Sequence, residues 1–152
     1  MADLIVAITG NRNITAADRA LVHLRVRELV YEVRPHTIIF GGARGVDTEA
    51  LFAAQHRRSF GGRTVLAHYT RLVVIVPDTV AAQPHDARSA IYSYADEVIE
   101  LHQRITRDDG WAAYHTRNRA MVDRATHVVG FWAGDTRSGT YSCLAYAQRT
   151  GR

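Results

Sequence analysis

The sequence predicts an α/β domain, Rossmann-like and three-layered, around a mostly parallel sheet. Three observations predict it. Short runs of branched apolar residues recur at 4–8, 37–40, 72–76 and 127–133, stretches with helical spacing separate them, and glycine-bearing turns follow several of the runs directly. Strands that alternate with helices pack as a parallel sheet covered on both faces, with ligand loops gathered at the carboxyl ends of the strands. A chain of 152 residues with 47% hydrophobic content is expected to form one domain over 1–152.

The first run, residues 3–8, reads as a buried strand that ends at a Thr9-Gly10-Asn11 turn. Thr15 is placed to cap a helix over 16–34, with Asp18 three positions after it. Val22, Val26, Leu29, Val30 and Val33 form its apolar face, Arg25, Glu28 and Glu32 point away from it, and Arg34-Pro35 ends it. Residues 37–40 form the second strand, which runs straight into Gly41-Gly42-Ala43-Arg44-Gly45 and a small-residue helix over 46–58. A turn at 59–62 leads to a short strand at 64–68 and a stronger one from 72 to 76, closed by Pro77. Residues 81–95 read as a loop and a short helix, 97–101 as a strand with one wet face, and 102–110 as an exposed polar loop. A helix over 111–125 and a buried strand over 126–132 follow. A glycine-bearing loop at 134–139 then leads to a closing helix that starts at Thr140.

Composition removes several function classes. Every apolar run falls far short of the roughly 18 residues of a membrane helix, and the N-terminus has no basic-then-apolar signal pattern, so a cytoplasmic protein without a membrane partner is expected. Cys143 is the only cysteine, which leaves no internal disulfide or cysteine-rich metal site. The eight histidines include no H-E-x-x-H arrangement, and no metal site is expected. The net charge of +4 comes from 19 basic residues that are all arginine, a compositional bias that by itself names no partner.

The chemistry is carried by the glycine turns. Each falls after a strand and before a helix, where unpaired backbone N–H groups and the positive helix end favour an anion. A single such turn is commonly steric punctuation; three in one small domain point to a phosphate site. The Gly41–Gly45 segment is neither the dinucleotide fingerprint nor a Walker loop, which disfavours ordinary NAD binding and P-loop hydrolysis. Arg44 within that turn, and Arg12 and Arg137 beside the others, have the planar fork that grips phosphate. Asp47 is expected to cap or brace the helix start, and Thr140 to cap its helix or hold phosphate through its hydroxyl.

Gly41-Gly42-Ala43-Arg44-Gly45-Val46-Asp47, then Arg117-Asn118-Arg119-Ala120-Met121, then Ser138-Gly139-Thr140 leading into Ala145-Tyr146-Ala147-Gln148-Arg149-Thr150-Gly151 resemble, in that order, the SLOG superfamily. That group includes YpsA-like proteins, Lonely Guy phosphoribohydrolases and the DNA-processing protein A (DprA) proteins. The resemblance spans nearly the whole chain and is poorest over 65–110. It implies a Rossmann-like fold in which the first turn, the Gly41–Gly45 turn and Ser138-Gly139-Thr140 surround a nucleotide or nucleic-acid phosphate, with Arg117 adding charge. It also implies a homodimer or higher homo-oligomer. The stretch from Gly41 to Asp47, Gly61-Gly62-Arg63-Thr64-Val65 and Arg117-Asn118-Arg119 look especially like DprA, whose members bind single-stranded DNA. Tyr114, Arg117, Arg119, Trp132 and Arg137 would suit such a strand, although Trp132 reads first as a packed residue at the end of a buried strand.

One departure bears on catalysis. Lonely Guy enzymes carry a glutamate three residues after the Gly-Thr pair, and this chain has Cys143 there. A thiol does not supply a carboxylate's proton chemistry, and Cys143 reads as a small buried apolar residue. The expectation is therefore a protein that senses or sequesters a nucleotide-derived small molecule, with no catalytic residue and no further cofactor. Its ligand-binding set is Gly10, Asn11, Arg12, Gly41, Gly42, Arg44, Gly45, Asp47, Arg117, Asn118, Ser138, Gly139 and Thr140. Two alternatives stay open: a DprA-like single-stranded DNA binder, and a nucleoside monophosphate phosphoribohydrolase that uses another carboxylate such as Glu49.

Overall fold

The computed structural model describes residues 2–60, 69–105 and 110–152. The strand expected at 64–68, the DprA-like segment 61–65 and part of the polar loop, 106–109, lie outside the described residues. Among the described residues five strands, β1 (Ile5–Gly10), β2 (Thr37–Phe40), β3 (Arg71–Val76), β4 (Glu97–Glu100) and β5 (His127–Phe131), form one sheet in the order β4-β3-β2-β1-β5. Every pairing is parallel, with Val6 opposite Ile38 on one side of β1 and opposite His127 on the other. The sheet is α/β and Rossmann-like, as its sequence pattern predicts.

The α-helices of the described residues that cover it are α1 (Ala16–Glu28), α2 (Val46–Phe60), α3 (His85–Tyr94), α4 (Gly110–Arg124) and α5 (Gly139–Arg149). One face of the sheet carries Val6, Ile8, Ile38, Phe40, Leu72 and Val74, which pack with Val22 and Val26 of α1, Leu51 of α2 and Ile91 of α3. The opposite face carries Ala7, Ile39, Val73 and Ile75, which pack against Met121 of α4. Helix α5 joins that layer through Cys143 and Ala147, which meet Val122 and Val128. The central strands β2 and β3 are buried on both faces, which explains their unbroken apolar runs.

Local chemistry accounts for most boundaries. Thr15 and Asp18 form a capping box: the Asp18 amide donates to Thr15 Oγ1 at 3.1 Å and the Thr15 amide to Asp18 Oδ2 at 2.9 Å. Hydrogen bonds from the Thr15 backbone and side chain hold the Asp18 carboxyl below its ordinary range. The helix expected over 16–34 is α-helical only to Glu28; residues Leu29–Val33 widen into a π turn, closed by the Arg34 amide on the Leu29 carbonyl at 3.0 Å. Arg34 takes a left-handed φ of 56°, and Pro35 then prevents any return to helix. The middle of the chain resolves into a 3₁₀ turn at Val80–Ala82 and α3.

Three expectations are corrected. The strand expected as buried over 126–132 is β5, an edge strand that pairs only with β1 and is partly exposed along its length. Trp132 is accordingly not a core residue: it is 43% exposed, its Nε1 donates to the Asp135 carbonyl, and its ring lies 5.5 Å from that of Tyr141. The closing helix starts at Gly139, and its cap is Ser138, whose Oγ accepts from the Tyr141 amide at 3.1 Å; Thr140 does not cap it.

Candidate functional site

The strand order contains one reversal. From β1 the chain winds through β2 and β3 to β4, then crosses back to place β5 on the other side of β1. At such a switch point the loops leave in opposite directions and open a crevice beyond the strand carboxyl ends. A cavity of about 570 Å³ lies there, within the roughly 300–1,000 Å³ range of small-molecule sites.

Its walls come from four places. Thr9, Gly10, Asn11, Arg12 and Asn13 line it from the end of β1, and Ala43 and Asp47 from the start of α2. Gly110, Trp111, Tyr114, Arg117, Asn118 and Met121 line it from α4, at the three- and four-residue spacing that puts them on one helix face. Asp135, Ser138, Gly139 and Thr140 close it at the start of α5. The first and third glycine turns thus meet at one cavity. The second contributes only Ala43 and, beyond it, Asp47: Gly41, Gly42, Gly45 and the exposed Arg44 lie outside the lining.

The second turn instead shapes the floor. Gly45 has a φ of 79°, and a Cβ there would collide with the carbonyls of Asn11 and Arg12, so this glycine lets the first two turns touch. The Val46 amide donates to the Asn11 carbonyl at 3.0 Å and joins them. At Gly41 a Cβ would lie 2.7 Å from Arg117 Nη1 and 2.9 Å from Asp47 Oδ2. Arg117 is 6% exposed; its Nη1 donates to the Gly41 carbonyl and its Nε to Asn118 Oδ1 at 2.8 Å. Asn118 continues the chain with Nδ2 donating to the Gly139 carbonyl at 3.4 Å. A polar thread therefore crosses the floor from the second turn to the third.

Asp47 is 6% exposed and accepts the Ala43 amide on Oδ2 at 3.1 Å, so it braces its own turn. Its other oxygen, Oδ1, has no hydrogen-bond partner among the described residues. Burial pushes this carboxyl up to about 6, against the opposing pull of Arg117, the Ala43 amide and Arg12. Burial also lowers the Arg117 pKa, with Asp47 opposing; a guanidinium stays charged under any ordinary condition. Cys143 is 1% exposed, and burial raises its thiol to about 11 although a Thr9 hydrogen bond and Arg117 oppose the rise.

At the α5 end, the Ser138 amide donates to the Asp135 carbonyl, the Tyr141 amide to Ser138 Oγ and the Ser142 amide to the Ser138 carbonyl. Among the described residues this leaves the amides of Gly139 and Thr140, both in the lining, at the positive end of an 11-residue helix. Thr140 Oγ1 donates to Asn11 Oδ1 at 3.5 Å, across the junction of the two turns. Over the opening, the Arg12 guanidinium lies 4.2 Å from the centre of the Tyr114 ring. Glu49 faces α1, where it pairs with Arg19 at 3.0 Å and His23 at 2.7 Å, and does not line the cavity. Among the described residues no group of His, Cys, Asp or Glu could hold a metal ion, and no helix is long and apolar enough to cross a membrane.

Sequence reasoning did not single out Asn13, Gly110, Trp111 or Asp135 for the site. Trp111 was within reach, since it shares a helix face with Tyr114 and Asn118 at spacings of three and four. Asp135 carries no such signal, because only the course of the loop brings it to the cavity.

No protein-family model matches the sequence, and no curated protein matches it significantly. Solved structures do. DNA processing protein A from Streptococcus pneumoniae superposes with a TM-score of 0.73 at 20% identity, over 99% of this chain and 48% of that one. DNA processing protein A from Helicobacter pylori, described for its single-stranded DNA binding mode, gives 0.70 at 22% identity, over 98% and 62%. The fold is that of these DNA processing protein A structures. A molybdenum cofactor binding protein from Rippkaea orientalis also superposes, with a TM-score of 0.65 at 18% identity over 99% of this chain and 74% of that one. The chain spans about half to three-fifths of the two DprA chains, so the likeness concerns their shared fold.

Proposed function

We propose that this protein binds a nucleotide-derived, phosphate-bearing ligand in the switch-point cavity, and that binding itself, for sensing or sequestration, is its task. The observation that carries the proposal is the pairing of the α5 amide end with the Arg12–Tyr114 stack at one opening. The first suits a phosphate, and the second a flat aromatic base. Arg117, held in the floor, adds a fixed positive charge that needs no reorganisation when an anion arrives.

A binding role is supported by the state of the candidate catalytic groups. Cys143 is buried with a raised thiol pKa, and Glu49 is engaged with Arg19 and His23 away from the cavity. The test is native mass spectrometry of the purified protein, followed by calorimetry against nucleoside monophosphates, dinucleotides and cyclic nucleotides. A retained or titratable nucleotide is expected; a protein that binds none of them overturns the reading.

The fold likeness to the H. pylori protein favours a second reading, single-stranded DNA binding. Aromatic and basic groups outside the cavity suit it: the exposed Trp132 packs on Tyr141, and Arg119 lies 5.6 Å from the Tyr146 ring centre. Oligonucleotide binding that weakens steeply with salt would favour this reading, and its absence at low salt would remove it. A homodimer or higher homo-oligomer belongs to the same proposal. It is supported by exposed Leu21, Val33 and Val129 around the groove between α1 and edge strand β5, and sedimentation at micromolar concentration tests it.

A further inference from the structure

Among the described residues the two edges of the sheet are built differently. β4 is four residues long and carries Glu97 and Glu100, with Glu97 held by Arg71 at 2.7 Å. A short edge with charged side chains discourages another strand, which is how natural sheets guard an open ladder. β5 has no such guard: His127-Val128-Val129-Gly130-Phe131 contains no Asp, Glu, Lys, Arg or Pro. Among the described residues it pairs only with β1, so alternate N–H and C=O groups along it point away from the sheet. None of the backbone hydrogen bonds made outside helices and strands by the described residues involves 127–131. Gly130 is exposed, and with no side chain what it exposes is backbone.

Beside this edge lies a groove of about 550 Å³ between β5 and α1. Leu21, Val33 and Val129 line it and are 48%, 54% and 37% exposed. Apolar surface next to an open ladder is what a partner that adds a strand covers. Arg25, Glu28 and Glu32 stand in the same groove, with Arg25 on Glu28 at 2.9 Å. A groove that carries both signs of charge favours neither a basic nor an acidic peptide. It does suit its own copy. A two-fold axis perpendicular to the sheet runs the two α1 helices antiparallel and sets the Arg25 end of one toward the Glu32 end of the other.

We infer that two copies of this chain pair edge to edge through β5, antiparallel across a two-fold axis, so that their sheets join into one and the two α1 grooves face each other over the seam. The pairing satisfies the outward backbone groups of both strands at once. This inference rests on the homo-oligomer proposed above and gives it a surface and a geometry.

Val129 on β5 and Val98 on β4 are each 37% exposed, so lysine at the two positions makes a matched comparison. Lysine on an edge strand is a guard against pairing. At Val129 the two-fold axis also brings it close to its own copy, where like charges repel. The experiment is sedimentation velocity across the micromolar range on wild type, Val129→Lys, Val98→Lys and Leu21→Lys, with circular dichroism to establish folding. Amide hydrogen exchange is read by NMR on the same proteins. The wild type should be a dimer whose outward β5 amides are protected. Val129→Lys and Leu21→Lys should weaken the dimer about tenfold or more and release those amides, and Val98→Lys should leave both unchanged.

A wild type that is monomeric throughout overturns this inference and the homo-oligomer reading together. A dimer that survives in folded Val129→Lys, or that is lost equally in Val98→Lys, overturns the edge pairing and leaves the homo-oligomer standing. Should Val129→Lys not fold, Leu21→Lys and the wild-type exchange decide: a dimer whose outward β5 amides exchange freely overturns the pairing.

Discussion

Asp47 and Arg117 reach the same glycine from different elements: Arg117 Nη1 donates to the Gly41 carbonyl, and Asp47 Oδ2 lies 2.9 Å from where a Gly41 Cβ would stand. A buried acid and a buried base are thus gathered around a backbone that has no side chain to part them. Their mutual attraction opposes the burial penalty on each, and burial remains the larger effect on both.

This arrangement predicts a pH dependence. The Asp47 pKa is about 6 in the folded protein, against an ordinary 3.8. Between those values the folded state holds a proton that the unfolded state has released, so stability falls as pH rises. The Asp47 contribution is full below the unfolded pKa and is lost as pH rises through about 6. Denaturant unfolding of wild type and Asp47→Asn from pH 4 to 7 should show the wild type losing stability relative to the variant. A constant difference would show that Asp47 does not titrate abnormally.

Gly45 and Gly134 both have positive φ, 79° and 91°, yet only Gly45 faces the carbonyls of Asn11 and Arg12; a Cβ at Gly134 would meet nothing within 4 Å. Alanine at either position carries conformational strain, on the order of 1 kcal/mol. Gly45→Ala adds a collision with backbone that cannot swing aside, and should be destabilised by about 2 kcal/mol or more beyond Gly134→Ala. Urea unfolding of the two variants checks the order.

Cys143 should be inert. A thiol that is 1% exposed with a pKa of about 11 offers almost no thiolate at neutral pH. Ellman's reagent should react with it at the rate of unfolding and rapidly only in denaturant. Immediate reaction in native buffer would contradict its place among Val122 and Ala147.

The stack at the opening makes a prediction about binding. Tyr114→Ala removes the ring beneath Arg12 and should weaken nucleotide binding by about tenfold, while the unfolding midpoint shifts little because Tyr114 lies at the cavity rather than in the core. Titration calorimetry and thermal unfolding on the same preparation separate the two effects.

Helix α1 offers a purely local check. Thr15→Ala deletes one half of the capping box and leaves an Asp18 amide without its acceptor. The cost should be about 1 kcal/mol, measured by denaturant unfolding.

Much of this architecture is local chemistry written along the chain. The runs at 37–40 and 72–76 are strands because both faces are covered, and the Thr15–Asp18 box marks the start of a helix by itself. Glycine turns between strand and helix fall at the carboxyl edge of a parallel sheet for topological reasons. The same reasoning misjudged 126–132, since a run of apolar residues looks alike in a central strand and in an edge strand such as β5. It also overextended α1 past Glu28, because apolar spacing continues through a π turn without a break.

The sequence by itself determined the α/β class, the parallel sheet and the positions of the glycine turns, because these follow from periodicity, capping and backbone conformation within a few residues. Only the tertiary structure decided which turns share a cavity. It put Gly41, Gly42, Arg44 and Gly45 outside the lining, brought Trp111, Tyr114 and Asp135 into it, and made Arg117 a brace. It also buried Asp47 with one oxygen that has no hydrogen-bond partner among the described residues. The physical reason is that strand order and helix packing bring together residues dozens of positions apart, and desolvation, which sets the character of Asp47 and Cys143, exists only once those neighbours have closed around them.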